Sequence, residues 1–189
     1  MAKGKLFVIS GPSGVGKGTI CKRILDADSN MRFSVSMTTR APREGEVEGV
    51  DYFFVCKDEF EELLREGQLL EYNQFVENYY GTPRRAVMNW LDEGHDVLLE
   101  IDYHGAFQVR DAYPAAILIF IAPPSIEALR ERILNRGSET EESLERRLTQ
   151  AMDDMSHADD YDYLVVNDDI NTAVWQVQQI MRLEKGKED

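Results

Sequence analysis

The sequence predicts an α/β fold with a parallel sheet core flanked by helices, into which a mixed α/β lobe and a helical lid are inserted. Three observations carry this. Apolar runs at Lys5–Ser10, Asp96–Ile101, Ala115–Ala122 and Tyr163–Val166 are each followed by a loop and a segment with helical spacing, the alternation of a parallel sheet covered on both faces. The first run opens into a glycine-rich turn, Gly11–Gly18, directly before a helix. The stretch Ser34–Gly94 breaks the alternation, and so does Ile126–Met155, with its arginines on either side of a polar break.

Taken in order, the first helix carries Ile20, Ile24 and Leu25 on one face. In the inserted lobe, Asp51–Val55 and Leu69–Val76 read as strands around a short helix near Asp58–Glu66. In the lid, Arg130, Arg132, Arg136, Arg146 and Arg147 flank a break at Gly137–Thr140, and Leu144, Leu148, Ala151, Met152 and Met155 recur at helical spacing. The last helix, Ile170–Leu183, places Val174, Val177, Ile180 and Met181 on its inner face, and the charged tail Glu184–Asp189 reads as frayed. The expected division is a core of residues 1–35, 95–125 and 157–189, a lobe of 36–94 and a lid of 126–156, all within one domain of 1–189.

Composition narrows the function classes. With 189 residues and 43% hydrophobic residues, the chain can bury a core. Lys+Arg of 21 against Asp+Glu of 35 gives a formal charge of −14. Such a body repels nucleic acid and anionic membranes, while a small anion can still bind where basic groups are focused. Cys21 and Cys56 form neither a disulfide framework nor a zinc pattern, so they read as ordinary thiols of a reduced, cytoplasmic protein. Leu6–Ser10 is too short for the apolar core of a secretion signal. The longest apolar run, Ala115–Ala122, is about one third of a membrane span.

The strongest motif is Gly11-Pro12-Ser13-Gly14-Val15-Gly16-Lys17, which follows a strand and opens a helix. This is the Walker A setting and predicts a P-loop NTPase fold. Glycines let the backbone wrap an anion, the amides and the helix N-terminus point at it, and Lys17 adds a compact charge over the β- and γ-phosphates. The next position departs from the pattern: Gly18 stands where Ser or Thr commonly ligates magnesium, and Thr19 comes one residue late. Thr19 is expected to contact a nucleotide phosphate or to pack at the helix start. Magnesium, Mg2+ accompanying ATP, is expected on phosphates and water.

The segments Phe33–Glu46, Gly49–Phe54, Glu71, Asn78–Thr82, Glu100–Asp102, Arg136–Ser143 and Val166–Asp169 together resemble guanylate kinase, from Leu6 to about Val174. The resemblance implies transfer of the γ-phosphoryl of ATP to GMP, with dGMP as a further acceptor, giving ADP and GDP in purine metabolism and GMP recycling. It assigns the lobe 36–94 to GMP. Arg40, Arg43, Tyr52 and Tyr80 match the grip on the acceptor phosphate. Glu71 matches the guanine reader, since one carboxylate can accept both N1–H and N2–H. Ser36, Gly81, Thr82 and Asp102 match positions that complete that site, with Asp102 also a candidate for a magnesium-bound water; Glu100 alternates with Asp102 on one face of a buried strand and reads as its supporting neighbour in the GMP site. Arg132, Arg136 and Arg147 match the lid positions that close on the donor phosphates, and Asn167 the position beside adenine. Arg130 and Arg146 read as water-facing charges. His104 stands where the family often has Gln, and reads as a surface or packing residue rather than a catalyst.

Three other functions compete on these residues. A kinase for adenylate or a phosphorylated sugar would share the loop, but Glu71 with Ser36 and Thr82 favours guanine. A scaffold-type binding module of this family would lack a working loop, whereas Gly16 and Lys17 are present. A GTPase would need an Asn-Lys-x-Asp motif, which this sequence lacks. The sequence does not distinguish a monomer from a homo-oligomer.

Overall fold

The computed structural model describes residues 3–75, 77–135 and 140–187. In chain order the elements begin with β1 (Leu6–Ser10), α1 (Lys17–Ala27), β2 (Met31–Phe33), β3 (Met37–Thr38), β4 (Phe53–Phe54) and α2 (Lys57–Arg65). There follow β5 (Leu69–Phe75), β6 (Asn78–Pro83), α3 (Arg84–Asp92), β7 (Asp96–Glu100) and α4 (Tyr103–Ala112). The chain ends with β8 (Ile117–Ala122), α5 (Ile126–Leu134), α6 (Glu141–Ser156), a 3-10 turn at Ala158–Asp160, β9 (Tyr163–Val166) and α7 (Ile170–Lys185). The architecture is α/β, with a parallel sheet core flanked by helices, as the alternation of apolar runs and helices predicts. The chain divides into two compact units: Met1–Leu6, Asn30–Leu99 and His104–Ala116 form the first, and Phe7–Ser29, Glu100–Tyr103 and Ile117–Asp189 the second.

In the second unit β1, β8 and β9 lie side by side in that order, all parallel. β1 and β8 are buried along their whole length. Both are continuous apolar runs because helices cover both faces, so no position can be given to a polar residue facing water. β9 alternates instead: Val165 is buried while Leu164 and Val166 are exposed. α1 and α7 pack together, tied by Arg23 Nη1 to Asn171 Oδ1 at 2.6 Å and by Lys185 Nζ to Asp28 Oδ2 at 2.8 Å.

Three helix expectations change in detail. α1 buries Ile20, Cys21 and Ile24, so Cys21 takes the core position expected for Leu25. On α6 the buried residues are Leu144, Ala151 and Asp154, and Met152 is 61% exposed. The stripe runs through i, i+7 and i+10, so Met152, about 100° round from Ala151, turns outward. α7 runs to Lys185 rather than Leu183, and Glu184 is held by the Tyr163 hydroxyl and by Lys187. The expected fraying therefore does not extend to Glu184 or Lys185.

In the first unit β2 and β7 pair in parallel, and a separate four-stranded sheet runs β4-β3-β6-β5. The strand expected over Asp51–Val55 shortens to Phe53–Phe54, because the chain turns just before it: the Asp51 carboxylate accepts the Val47 amide at 2.8 Å and the Glu48 carboxylate the Phe54 amide at 3.0 Å. β6 is a strand that the sequence reading marked only as a motif. It forms because it pairs with β5 over six registered positions and with β3 on its other side. Among the described residues no helix is long and apolar enough to cross a membrane.

Candidate active site

The loop Gly11–Gly16 joins β1 to α1. Two of its glycines are required twice over. Gly11 has φ +139° and an added Cβ would lie 2.2 Å from the Ile121 carbonyl oxygen; Gly16 has φ +107° and its Cβ would lie 2.6 Å from Asn167 Nδ2. Neither backbone conformation nor space admits a side chain. Gly16 is also the N-cap of α1, and α1 has no side-chain cap. The first-turn amides are thus left to another acceptor, the condition under which a helix N-terminus holds an anion. By contrast α5, α6 and α7 are capped by Ser125, Thr140 and Asp169, each accepting a first-turn amide at 3.1, 3.2 and 2.9 Å.

Lys17 Nζ donates to the carbonyl oxygens of Gly11 at 2.6 Å and Pro12 at 3.1 Å. Burial lowers its pKa, and the carboxylates of Glu100, Asp154 and Asp102 oppose that, Glu100 most strongly. Burial in turn raises the Glu100 pKa, while Lys17 and a hydrogen bond from the Cys21 thiol hold it down. An added Cβ on Gly18 would stand 3.6 Å from Glu100 Oε2. A hard oxygen donor therefore lies beside the position where related loops carry a hydroxyl. Asp102 is exposed and lies beyond the end of β7, so the expected strand face shared by Glu100 and Asp102 is not formed. The chain leaves the sheet at Glu100 and starts α4 at Tyr103.

A cavity of about 540 Å3 is lined by loop residues Gly14, Val15, Gly16 and Thr19, by Arg132 and Asn135 of the α5 end, and by Asn167–Ile170. Asn167 is 4% exposed and its Nδ2 donates to the Val15 carbonyl at 2.7 Å, bracing the loop. Arg132 reaches the carbonyl oxygens of Asn167 (Nη1, 2.8 Å) and Asp168 (Nη2, 3.2 Å). Arg147 Nη2 donates to Ser13 Oγ at 2.9 Å. These contacts bring Arg132 to the cavity wall and Arg147 to the loop. Arg130 and Arg146 are exposed, and Arg146 pairs with Glu142 one turn back at 3.9 Å. Arg136 lies outside the described residues.

In the first unit, Arg40 and two aromatic rings converge. The Arg40 guanidinium carbon is 5.4 Å from the Tyr52 ring centre and 5.9 Å from that of Phe54. Tyr52 and Tyr80 meet edge to face at 6.0 Å. Glu46, which the sequence reading did not single out, forks Arg40: Oε2 accepts from Nη1 at 2.9 Å and Oε1 from Nη2 at 2.8 Å. It also accepts the Arg43 amide at 2.7 Å. These bonds pull the Glu46 pKa down to about 2, the Arg40 bond contributing most. Arg40 Nη1 also donates to the Ala41 carbonyl at 2.8 Å, and Tyr80 adds a further hydrogen bond to the guanidinium. Arg43 itself is exposed.

Glu71 and Thr82 are paired positions of β5 and β6. They are 5% and 1% exposed, and Thr82 Oγ1 donates to Glu71 Oε1 at 2.6 Å. A register shift between Leu69 and Glu71 keeps Leu69, Leu70 and Glu71 all buried, where simple alternation would turn one outward. Next along β5, the side-chain amide of Gln108 pairs with the Tyr72 backbone, accepting its N–H at 3.1 Å and donating to its carbonyl at 2.8 Å. Sequence spacing gives no signal for Gln108. A side chain at Gly81 would be tight, since a Cβ would lie 3.0 Å from both the Glu71 carbonyl oxygen and Phe60 Cζ. Ser36 is half-buried and its carbonyl accepts the Phe53 amide at 2.9 Å. His104 is exposed, as expected.

The family model of guanylate kinase matches residues 3–184. Curated guanylate kinases from Clostridioides difficile (strain 630) and Oceanobacillus iheyensis are 48% and 49% identical over 185 and 187 residues. These alignments cover 98% and 99% of this chain and 90% and 91% of the relatives. The crystal structure of guanylate kinase from Anaplasma phagocytophilum superposes with a TM-score of 0.82 at 37% identity, covering 98% of this chain and 88% of that one. A shikimate kinase from Bacteroides thetaiotaomicron, 15% identical with a TM-score of 0.52, shares the fold alone. A family match over nearly the whole chain, on top of a glycine loop in its strand-to-helix setting, leaves one assignment: this chain belongs to the guanylate kinase family.

Proposed function

We propose that the chain transfers the γ-phosphoryl group of ATP to GMP, and to dGMP, giving ADP and GDP (or dGDP) for purine nucleotide metabolism and GMP recycling. The observation that carries the acceptor assignment is the buried Glu71 carboxylate oriented by Thr82. A buried acceptor-only group suits guanine N1–H and N2–H, whereas adenine N1 would meet it lone pair to lone pair. Thr82 and Ser36 add hydroxyls to the base site, and Gly81 keeps the strand close behind it. Arg40, Arg43, Tyr52 and Tyr80 hold the acceptor phosphate, with the Arg40 guanidinium placed by its fork to Glu46.

On the donor side, the amides of Gly11–Thr19 and the Lys17 ammonium take the ATP phosphates. Asn167 and Arg132 form the adenine cavity, a placement that the carbonyl contacts of Arg132 favour over a direct phosphate contact. Arg147, and Arg136 beyond the described residues, close on the phosphates from the lid. The working division is a core of 1–35, 95–125 and 157–189, a GMP lobe of 36–94 and a lid of 126–156.

Chemistry on this reading is mostly alignment and charge neutralisation. An acceptor phosphate oxygen forms the new bond to the γ-phosphorus as the bond to the β–γ bridging oxygen breaks. That electron pair leaves on ADP. The attacking oxygen is already anionic, so no side chain needs to remove a proton. Burial lowers the Lys17 pKa, and the Glu100, Asp154 and Asp102 carboxylates counter part of that.

The donors present fit a magnesium ion that keeps most of its water. Among the described residues no three His, Cys, Asp or Glu side chains form a cage, and Gly18 offers no hydroxyl. Glu100, beside Gly18, and Asp102 would accept from the metal's waters, and ATP phosphate oxygens would complete the set. Bound there, magnesium supplies neutralising charge on the phosphates. No membrane or nucleic-acid partner is implied by the net charge of −14, and a cytoplasmic location suits the substrates. The test is coupled ADP release with GMP, dGMP, AMP, CMP and UMP in parallel. Turnover confined to GMP and dGMP supports the reading, and equal turnover of AMP overturns it.

A further inference from the structure

Tyr103 stands at a junction that none of the assigned roles uses. It directly follows Glu100-Ile101-Asp102 and opens α4. Its hydroxyl donates to Asp153 Oδ2 at 3.0 Å. Its ring stacks on His157 with centroids 4.4 Å apart and planes 16° from parallel. Asp153 lies in the last turn of α6 and His157 is the C-cap of that helix. One side chain therefore holds the C-terminal end of the lid helix in two ways, through a hydrogen bond and through a ring face. Burial and the neighbouring Asp153 carboxylate both raise the Tyr103 pKa, so the phenol stays protonated and remains a donor.

What this junction controls follows from helix geometry. Successive residues point about 100° apart. With Asp153 pinned to Tyr103, the helix rotation is fixed, and Asp154 turns inward to its buried position near Lys17. Arg147 lies ten residues before His157, about 15 Å up the helix axis. A tilt of about 10° at the pinned end would move it by roughly 2.6 Å over that length. That exceeds the tolerance of its 2.9 Å bond to Ser13 on the glycine loop. Misplacement by about 1 Å is enough to cost a reaction of this kind about a hundredfold.

We propose that Tyr103 is a positioning residue for phosphoryl transfer: by clamping the end of α6 through Asp153 and His157, it sets the register in which Arg147 and Asp154 meet the phosphate loop. The proposal rests on the reading of Lys17 and Arg147 as donor-phosphate ligands. Tyr103 itself touches no substrate on this account. Its effect passes through the lid helix, so it falls on kcat and not on GMP binding.

The experiment measures kcat, KM for ATP and KM for GMP in single turnover and steady state. The variants are Tyr103→Leu, Tyr103→Phe, Arg147→Ala and the two double variants, with Tm recorded for each. Tyr103→Leu, which loses both contacts, should lower kcat about 10- to 100-fold with KM for GMP within twofold of wild type. Tyr103→Phe keeps the stack and should lose about threefold. In the Arg147→Ala background both Tyr103 substitutions should cost clearly less than in the wild type, because one of the two groups they position is gone. Equal fold losses in both backgrounds, or a kcat at wild-type level in Tyr103→Leu, overturn the proposal. If Tyr103→Leu fails to fold, the same comparison made with Tyr103→Phe decides. Arg147→Ala at wild-type kcat would instead overturn the reading of Arg147, and the positioning role with it.

Discussion

Thr82 Oγ1 donates to Glu71 Oε1 across 2.6 Å between paired positions of neighbouring strands, and both residues are almost sealed from water. The bond fixes the plane of the carboxylate and engages one of its two oxygens. A base site built this way should discriminate by polarity, because a mismatched base leaves a buried carboxylate unsatisfied.

Wild-type protein should therefore favour GMP over AMP by at least about 10^3-fold in kcat/KM, the scale of buried polar discrimination. IMP, which keeps N1–H but lacks the N2 amine, should fall between them. Glu71→Gln should narrow the ratio by weakening GMP and relieving the repulsion of adenine N1. Steady-state kinetics with the three nucleotides measures this. Equal losses for GMP and AMP would make Glu71 purely structural.

Thr82→Val keeps the volume and removes the donor. A buried carboxylate that loses its partner costs about 1–3 kcal/mol, so both Tm and GMP affinity should drop. Thr82→Ser should restore both. Thermal melts with and without GMP separate the two effects, and a Val variant with unchanged GMP affinity would remove Thr82 from the base site.

Lys17→Ala should lower kcat by about 10^3-fold or more, since a charge contact to the transferring phosphoryl is lost. Its circular dichroism and Tm should remain close to wild type. A rate within threefold of wild type would remove Lys17 from the chemistry.

The Arg40–Glu46 pair makes a prediction about acid. Glu46 has its pKa lowered from 4.5 to about 2 in the folded protein. A depressed carboxylate stabilises the fold fully above about pH 4.5, and that contribution is lost as pH falls towards 2. Glu46→Gln should flatten this part of the acid limb in denaturation curves taken between pH 5 and 2. An unchanged limb would mean that the pair contributes nothing in solution. The pair is partly covered, its side chains 14% and 18% exposed, and it also fixes the placement of the Arg40 guanidinium.

Arg40→Ala and Arg43→Ala should each raise KM for GMP far more than KM for ATP, because both side chains are assigned to the acceptor phosphate. Selective loss of ATP affinity would show that the two nucleotides have been assigned to the wrong residues.

The fold was largely legible because its strongest elements are written in local pattern. β1, α1, β7, β8, β9 and α7 follow from apolar runs and helical spacing. β3 and β6 were not legible as strands, since the two residues Met37–Thr38 and the polar run Asn78–Pro83 gain their strand state from pairing with neighbours, β3 with β4 and β6, and β6 with β3 and β5. The α6 stripe was misphased at Met152 because apolar type was taken for burial, whereas Asp154 is drawn inward beside Lys17.

The sequence by itself determined the glycine loop, its lysine and the family, because loop conformation, strand periodicity and residue order are local properties that survive without knowledge of contacts. Only the tertiary structure decided that Glu71 is buried and paired with Thr82, that Glu46 occupies one edge of Arg40, and that Tyr103 holds Asp153 and His157. Except for the Arg40–Glu46 loop, these partners lie 11 to 54 residues apart in the chain. Their meeting depends on strand register, a bulge and helix phase, which are fixed by the packing of many residues at once and leave no periodic trace at the positions themselves.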